Sequence, residues 1–199
     1  MISEIKMNEY GDVIRSVFGR HFDVFKRSLE SILDDVERAA FLLGDAVRGD
    51  HRLFVCGNGG SAADSQHFAA EWVCRFKNDR KPLPAIALTV DTSVLTAIGN
   101  DYDFNHIFSR QVQALGGPED VLVAITTSGA SSNVLLAIDQ AKLQGLKVIA
   151  LTGEGGKELK EKVDVAIVVP SEETARIQEM HELIYHAWCE FVDAQFFGA

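Results

Sequence analysis

The chain has 199 residues, 47% of them hydrophobic and only four proline, enough for one domain with a substantial core and unlike a disordered composition. Its formal charge is −10 and the basic residues do not gather into a patch, which disfavours nucleic acid as a partner while allowing a local anion site. No uncharged apolar run reaches membrane-spanning length, and Glu4, Lys6, Glu9 and Asp12 replace any apolar signal segment.

Cys56, Cys74 and Cys189 form no paired framework and read as reduced thiols, so a cytoplasmic, non-membrane protein is expected. In chain order, Val13, Ile14, Val17 and Phe18 suggest a short helix that Gly19 bends or breaks. Phe25, Leu29, Ile32, Leu33, Val36, Ala39, Ala40, Leu43 and Val47 then recur at helical spacing within 22–47. That stripe needs another surface, either the main domain or a neighbouring subunit.

From Arg52 onward strand and helix alternate. The expected strands are 52–56, 84–89, 120–126, 146–151 and 164–169. The expected helices are 61–75, 92–98, 104–115, 131–143, 155–161 and 172–196, with Gly145, Gly153 and Pro170 punctuating element ends. Runs such as Val121-Leu122-Val123-Ala124-Ile125 are apolar on both faces, which fits a parallel sheet covered by helices. The predicted fold is therefore α/β, a three-layer doubly wound parallel five-stranded sheet over 49–199, with a helical N-terminal extension over 1–48. Ligands of such sheets gather at the carboxyl ends of the strands, where two polar loops, 57–61 and 126–131, both fall.

The first loop reads Cys56-Gly57-Asn58-Gly59-Gly60-Ser61. Three glycines in four positions let the backbone turn tightly and expose N–H groups, and a helix starting near Ser61 adds its free donors. The second reads Thr126-Thr127-Ser128-Gly129-Ala130-Ser131; its hydroxyls can donate hydrogen bonds, and Ser131 can cap the next helix. Alone it could be a turn whose hydroxyls serve the backbone; beside the first loop it suggests a phosphate or sugar cradle. A dinucleotide site is the competitor, but G-N-G-G-S lacks the G-x-G-x-x-G spacing, no Walker lysine follows, and Asp91 is the only acid placed for a ribose. Ser61 and Ser128 lack the G-x-S-x-G setting of a hydrolase nucleophile.

His67 and Glu71, four residues apart, share one helix face and could move protons, hold a divalent metal, or form an interface salt bridge. Arg176, Gln178, Glu179, His181, Glu182 and His186 supply further polar groups. Glu182 and His186 are again four apart and could simply stabilise their helix, while His181 is equally plausible as a structural hydrogen-bonding residue. Gln178 and His186 are separated by about 12 Å of helical rise, too far to meet one metal from a single straight helix. If both join the chemistry, they serve neighbouring copies or different parts of an extended site. An anion cradle beside an acid–base or metal-binding pair points to an enzyme for a phosphorylated small molecule.

The fragments C-G-N-G-G-S at 56–61, H-F-A-A-E at 67–71, G-N-D at 99–101, T-T-S-G at 126–129 and R-I-Q-E-M-H at 176–181 carry a further message in their order and spacing. From about residue 35 to 195 the chain resembles the phosphoheptose isomerases, or sedoheptulose 7-phosphate isomerases, of the sugar isomerase (SIS) superfamily. The resemblance implies the SIS fold, a homotetramer with active sites at subunit interfaces, and interconversion of sedoheptulose 7-phosphate and D-glycero-D-manno-heptose 7-phosphate through an enediol. It assigns substrate binding to Asn58, Gly59, Gly60, Glu71, Asn100, Asp101, Thr126, Thr127, Ser128, Ser131 and Gln178. It also implies one zinc per subunit at His67, Glu71, Gln178 and His186, with Glu71 as base and His186 as acid. Thr126, Ala130 and Ala62 stand where the family often has serine, asparagine and a polar residue, departures that touch substrate details more than reaction type.

The nearest alternative is the non-catalytic branch of the superfamily that binds a phosphosugar or the bacterial replication initiator. Leu88, Leu95-Thr96-Ala97-Ile98 and Arg176 to His181 resemble it, but that branch lacks the acid and histidine found here as Glu71 and His186. A nucleotide-sugar or hexose phosphate isomerase is a further alternative.

Overall fold

Strands that are apolar on both faces must be covered on both faces, and the computed structural model, which describes residues 4–198, does this with three layers. The strands are β1 (Leu53–Gly57), β2 (Ala85–Ala87), β3 (Val121–Thr126), β4 (Lys147–Gly153) and β5 (Val165–Val169). They form one sheet in the order β2-β1-β3-β4-β5, with every pairing parallel. Both β1 and β3 are buried along their whole length.

Around the sheet lie α1 (Glu4–Ser31), α2 (Leu33–Arg48), α3 (Gly60–Val73), α4 (Thr92–Asp101), α5 (Ser109–Leu115), α6 (Ser132–Leu143) and α7 (Thr174–Phe196). Alternation along the strands divides the core in two. Leu53, Val55, Val121, Val123 and Ile125 meet Leu43, Phe68, Trp72, Tyr185 and Trp188 from α2, α3 and α7. Phe54, Cys56, Leu122 and Ala124 meet Ile98, Val112, Val134 and Ile138 from α4, α5 and α6. Residues 1–3 of the expected extension, and Ala199, lie outside the described residues.

Three details differ from the sequence expectation. The first helix runs through Gly19, which has open space where a Cβ would sit, and ends at Ser31 instead. There the hydroxyls of Ser28 and Ser31 donate back to the carbonyls of Val24 and Arg27, at 2.8 Å each, a pattern that bends helices. The expected helix 104–115 is a 3-10 turn at Phe104–His106 followed by α5, because Asp103 caps the Asn105 N–H and starts a separate turn. The segment expected as a helix at 155–161 is a 3-10 stretch, Glu154–Glu161.

A buried ion pair ties the 74–83 loop to α7. Arg80 and Asp193 have side chains only 1% and 3% exposed, and Arg80 Nε donates to Asp193 Oδ1 at 2.8 Å. Asp193 Oδ2 also accepts from the N–H groups of Lys77 (2.9 Å) and Asn78 (3.0 Å). Arg80 further donates to the carbonyls of Glu71 (2.8 Å) and Trp72 (3.0 Å), capping the end of α3. Burial opposes ionisation of Asp193, but the bonds from Asn78, Arg80 and Lys77 outweigh it and hold the carboxyl below its usual range.

Removing one member of such a pair leaves the other buried and uncompensated. Asp193→Ala is expected to lose about 3–5 kcal/mol in urea unfolding at neutral pH. Because the folded carboxyl titrates below its unfolded value, its contribution is complete above the unfolded value and disappears as pH falls through the folded one. The gap between parent and variant should therefore narrow on acidification; a gap independent of pH contradicts the assignment.

Candidate active site

Beyond Gly57 the chain must leave β1 and enter α3 within a few residues. Gly60 lets the Gln178 amide from α7 lie close against the loop, in space that a Cβ would take. Asn58 is fixed by a reciprocal amide pair with Asn133 in the first turn of α6, both bonds at 2.8 Å. This pair draws the two polar loops together. In the second loop Gly129 has φ +70, and a Cβ would strike the backbone of Gly156.

The loops enclose a cleft of about 300 Å³ lined by Asn58, Gly59, Gly60, Thr126, Thr127, Ser131 and Gln178, among others. The N-termini of α3 and α6 both open at these loops, adding partial positive charge where an anion would lie. Ser131 occupies the N-cap position of α6, yet its side chain makes no cap bond; it lies 3.1 Å from the Thr126 hydroxyl instead. Ser128 accepts from the Ala130 N–H at 3.2 Å and does not line the cleft.

Farther along α3 lies a second group of polar side chains. His67 Nε2 is 3.2 Å from Glu71 Oε1 and 3.4 Å from His186 Nε2. Its Nδ1 is 2.9 Å from the Tyr185 hydroxyl and 3.7 Å from Glu182 Oε1. The ligand atoms of His67, Glu182 and His186 all lie within 4.8 Å of one another, so this His/Glu/His cluster can hold a metal ion. Burial, reinforced by the charges of Glu182 and Asp64, holds the Tyr185 phenol above its usual range and keeps it protonated.

Asp64 stands between the cleft and the histidines on α3, with one carboxyl oxygen buried and unpartnered. Burial and then Glu182 push its carboxyl up to about 6, against a smaller opposing effect of His67. His181 is fully buried, its Nε2 3.4 Å from the Thr152 carbonyl. Burial pushes it down to about 4, with that carbonyl opposing, so at neutral pH it is an uncharged core residue.

One chain does not bring all the sequence-predicted residues together. Gln178 lies at the cleft, while His67, Glu71 and His186 lie farther along the same two helices. From Gly60 to Glu71 the helical rise is about 16 Å, and from Gln178 to His186 about 12 Å. Asn100 and Asp101 bond to each other at 2.8 Å at the end of α4, and Asp101 lines a separate cavity of about 700 Å³ with Tyr102 and Arg110. The sequence reading missed Asn133, Asp64 and Tyr185. Asn133 alone left a trace, as a polar side chain in the first turn of α6 beside the second loop, directly before the apolar run Val134 to Ile138.

Residues 20–153 match the family described as SIS domain. The chain is 47% identical over 185 residues to the phosphoheptose isomerase of Helicobacter pylori, covering 93% of this chain and 96% of that relative. It is 50% identical over 176 residues to the phosphoheptose isomerase of a Nitratiruptor species, covering 88% and 94% respectively. The solved phosphoheptose isomerase structure from Neisseria gonorrhoeae superposes with a TM-score of 0.88 at 43% identity, over 93% of this chain and 99% of that one.

The Asn58–Asn133 pair gives the cleft a test. Asn133→Ala leaves the Asn58 amide without its partner and should cost about 1–3 kcal/mol in urea unfolding. The same variant should bind inorganic phosphate more weakly in a calorimetric titration. Unchanged stability and unchanged phosphate binding would show that the pair does not hold the loops together.

Proposed function

The chain belongs to the phosphoheptose isomerase family of SIS-domain proteins, and on that premise we propose how its residues divide the work of the reaction. It is an aldose–ketose isomerase of heptose phosphates, interconverting sedoheptulose 7-phosphate and D-glycero-D-manno-heptose 7-phosphate. The phosphate binds in the cleft, where the backbone of Gly59 and Gly60 and the hydroxyls of Thr126, Thr127 and Ser131 donate to its oxygens, while Ser128 of the same loop stands outside the cleft lining. Asn58 and Gln178 hold the sugar hydroxyls; Asn100 and Asp101, which the resemblance adds to them, lie apart from the cleft within one chain.

Glu71 takes the proton from the carbon beside the carbonyl, leaving a cis-enediol. His186 gives a proton to the carbonyl oxygen and takes one from the neighbouring hydroxyl as that becomes the new carbonyl, and return of the carbon proton to the former carbonyl carbon completes the aldose. Glu71 Oε1 lies 3.2 Å from His67 Nε2, so the carboxylate is held beside the imidazole pair where the proton transfer is assigned. The non-catalytic alternative has less support, since Glu71 and His186 both lie against His67.

The metal in this reading is zinc, one per subunit, held by His67, Glu71 and His186 of one copy together with Gln178 of the neighbour that supplies the cleft. The fit rests on spacing: zinc with bonds of about 2.0–2.1 Å in a tetrahedron separates its ligands by roughly 3.3 Å. His67 Nε2 stands at 3.2 and 3.4 Å from its Glu71 and His186 neighbours. Bound there, zinc would polarise the sugar oxygens.

One observation carries the assembly reading, the helical distance that separates the cleft from Glu71 and His186 within a chain. A seven-carbon substrate held in the cleft would meet these residues from a neighbouring copy, in a homotetramer with active sites at its interfaces. The apolar face of α1 is available to such a neighbour, with Ile14 60%, Phe18 73% and Phe22 54% exposed. In this reading 49–199 is the phosphosugar-binding domain and 1–48 its helical extension. Among the described residues no helix is long and apolar enough to cross a membrane, and the free thiol of exposed Cys74 suits a reducing, cytoplasmic setting.

Proton NMR of the protein with sedoheptulose 7-phosphate in deuterated water tests the chemistry. Aldose signals should grow in, with deuterium entering at the former carbonyl carbon, which receives its proton from the enediol. Glu71→Gln and His186→Gln should each slow turnover by about 10²–10⁴-fold while phosphate binding survives. Near-native turnover in both variants would overturn their roles.

A further inference from the structure

His67 is approached by an acid on each side of its ring. Glu71 faces Nε2 at 3.2 Å and Glu182 faces Nδ1 at 3.7 Å. His186 lies close enough to serve either side, since its Nε2 is 3.4 Å from His67 Nε2 and the His67, Glu182 and His186 ligand atoms cluster within 4.8 Å. Two metal arrangements thus compete, one through Nε2 with Glu71 and one through Nδ1 with Glu182. Only the first puts the metal beside the base assigned above.

Tyr185 separates them. Its hydroxyl is 2.9 Å from Nδ1, nearer than Glu182, and among the described residues forms no other side-chain hydrogen bond. The two competitors for Nδ1 also differ in freedom. The Tyr185 ring is fully buried and stacked on Phe68, centroids 5.4 Å apart and planes 23° from parallel, whereas the Glu182 side chain is 51% exposed. A packed ring delivers its hydroxyl to one point; an exposed glutamate must lose rotamer freedom to reach the same nitrogen.

We propose that Tyr185 is a positioning residue that reserves Nδ1 of His67, so that Nε2 is the nitrogen turned toward Glu71, His186 and the zinc ion. The proposal rests on the metal reading given above, but its structural half concerns the ring alone. A hydroxyl suits the task because it can both donate and accept. It donates to Nδ1 while Nε2–H bonds to Glu71, and accepts from Nδ1–H when Nε2 is a ligand. A carboxylate at the same place could only accept, and would favour one tautomer throughout.

Tyr185→Phe removes the hydroxyl and keeps the buried ring. Zinc affinity of the full-length protein, measured by competition with a chromophoric chelator, should fall about 10–100-fold. Glu71→Gln should weaken zinc more than Glu182→Gln does. In the metal-free parent, ring ¹⁵N NMR, with His67 assigned through the His67→Gln spectrum, should show protonated Nε2 and hydrogen-bonded Nδ1. In Tyr185→Phe the two tautomers should mix.

Unchanged zinc affinity and an unchanged ring spectrum in Tyr185→Phe would overturn the proposal. So would a larger zinc loss in Glu182→Gln than in Glu71→Gln. If the parent takes up no zinc, the metal reading fails by itself, and the metal-free spectra still decide whether Tyr185 holds Nδ1. If Tyr185→Phe does not fold, the parent spectrum decides: averaged ring nitrogens overturn the proposal and a single hydrogen-bonded tautomer supports it.

Discussion

The packing of α3 along α7, both running in the same direction from the carboxyl edge of the sheet, governs where every polar group in this site can be. Gly60 meets Gln178 at one level, and His67 meets Tyr185 and His186 at the next. Phe68, Trp72, Tyr185 and Trp188 fill the seam and are all buried, each contributing on the order of 1.5–3 kcal/mol of apolar burial. The Arg80–Asp193 pair closes the far end by holding the last carbonyls of α3 against α7. With both helices locked in register, a rise of about 1.5 Å per residue sets the spacing of the side chains they carry.

That spacing explains the division of labour. Anion binding belongs at the helix N-termini, where free N–H groups and the helix dipole oppose the chain's overall negative charge. The proposed proton transfer falls farther along, where two imidazoles and a carboxylate stand over a wall of aromatic rings. A rigid pair of helices cannot bend these regions onto one another. The proposed site is accordingly one completed by a second copy.

Much of this was legible in the sequence for definite reasons. Val121 to Ile125 has no polar side chain to place outward, so its strand had to be buried on both faces. Two loops at strand ends, one rich in glycine and one in hydroxyls, marked the cleft. Other features were set by tertiary contacts that no local pattern carries. Gly19 breaks nothing because it stands in open space, while the break at Ser31 depends on serine hydroxyls turning back onto the helix. Asp101 keeps to Asn100 and a different cavity despite its motif. Tyr185 reads as one more apolar position of α7, and only the approach of α3 gives its hydroxyl a partner. The eight-residue step from Gln178 to His186 was the sequence feature that announced the separation now seen between cleft and histidines.

Mixed oligomers test that separation most directly. A Gln178→Ala chain keeps Glu71 and His186, and a Glu71→Gln chain keeps the cleft, so each carries the part that the other lacks. If sites form between copies, random mixing of these two inactive variants should restore roughly a quarter of the sites and isomerase activity with them. Oligomers shown to contain both chains yet as inactive as either variant alone would contradict the account.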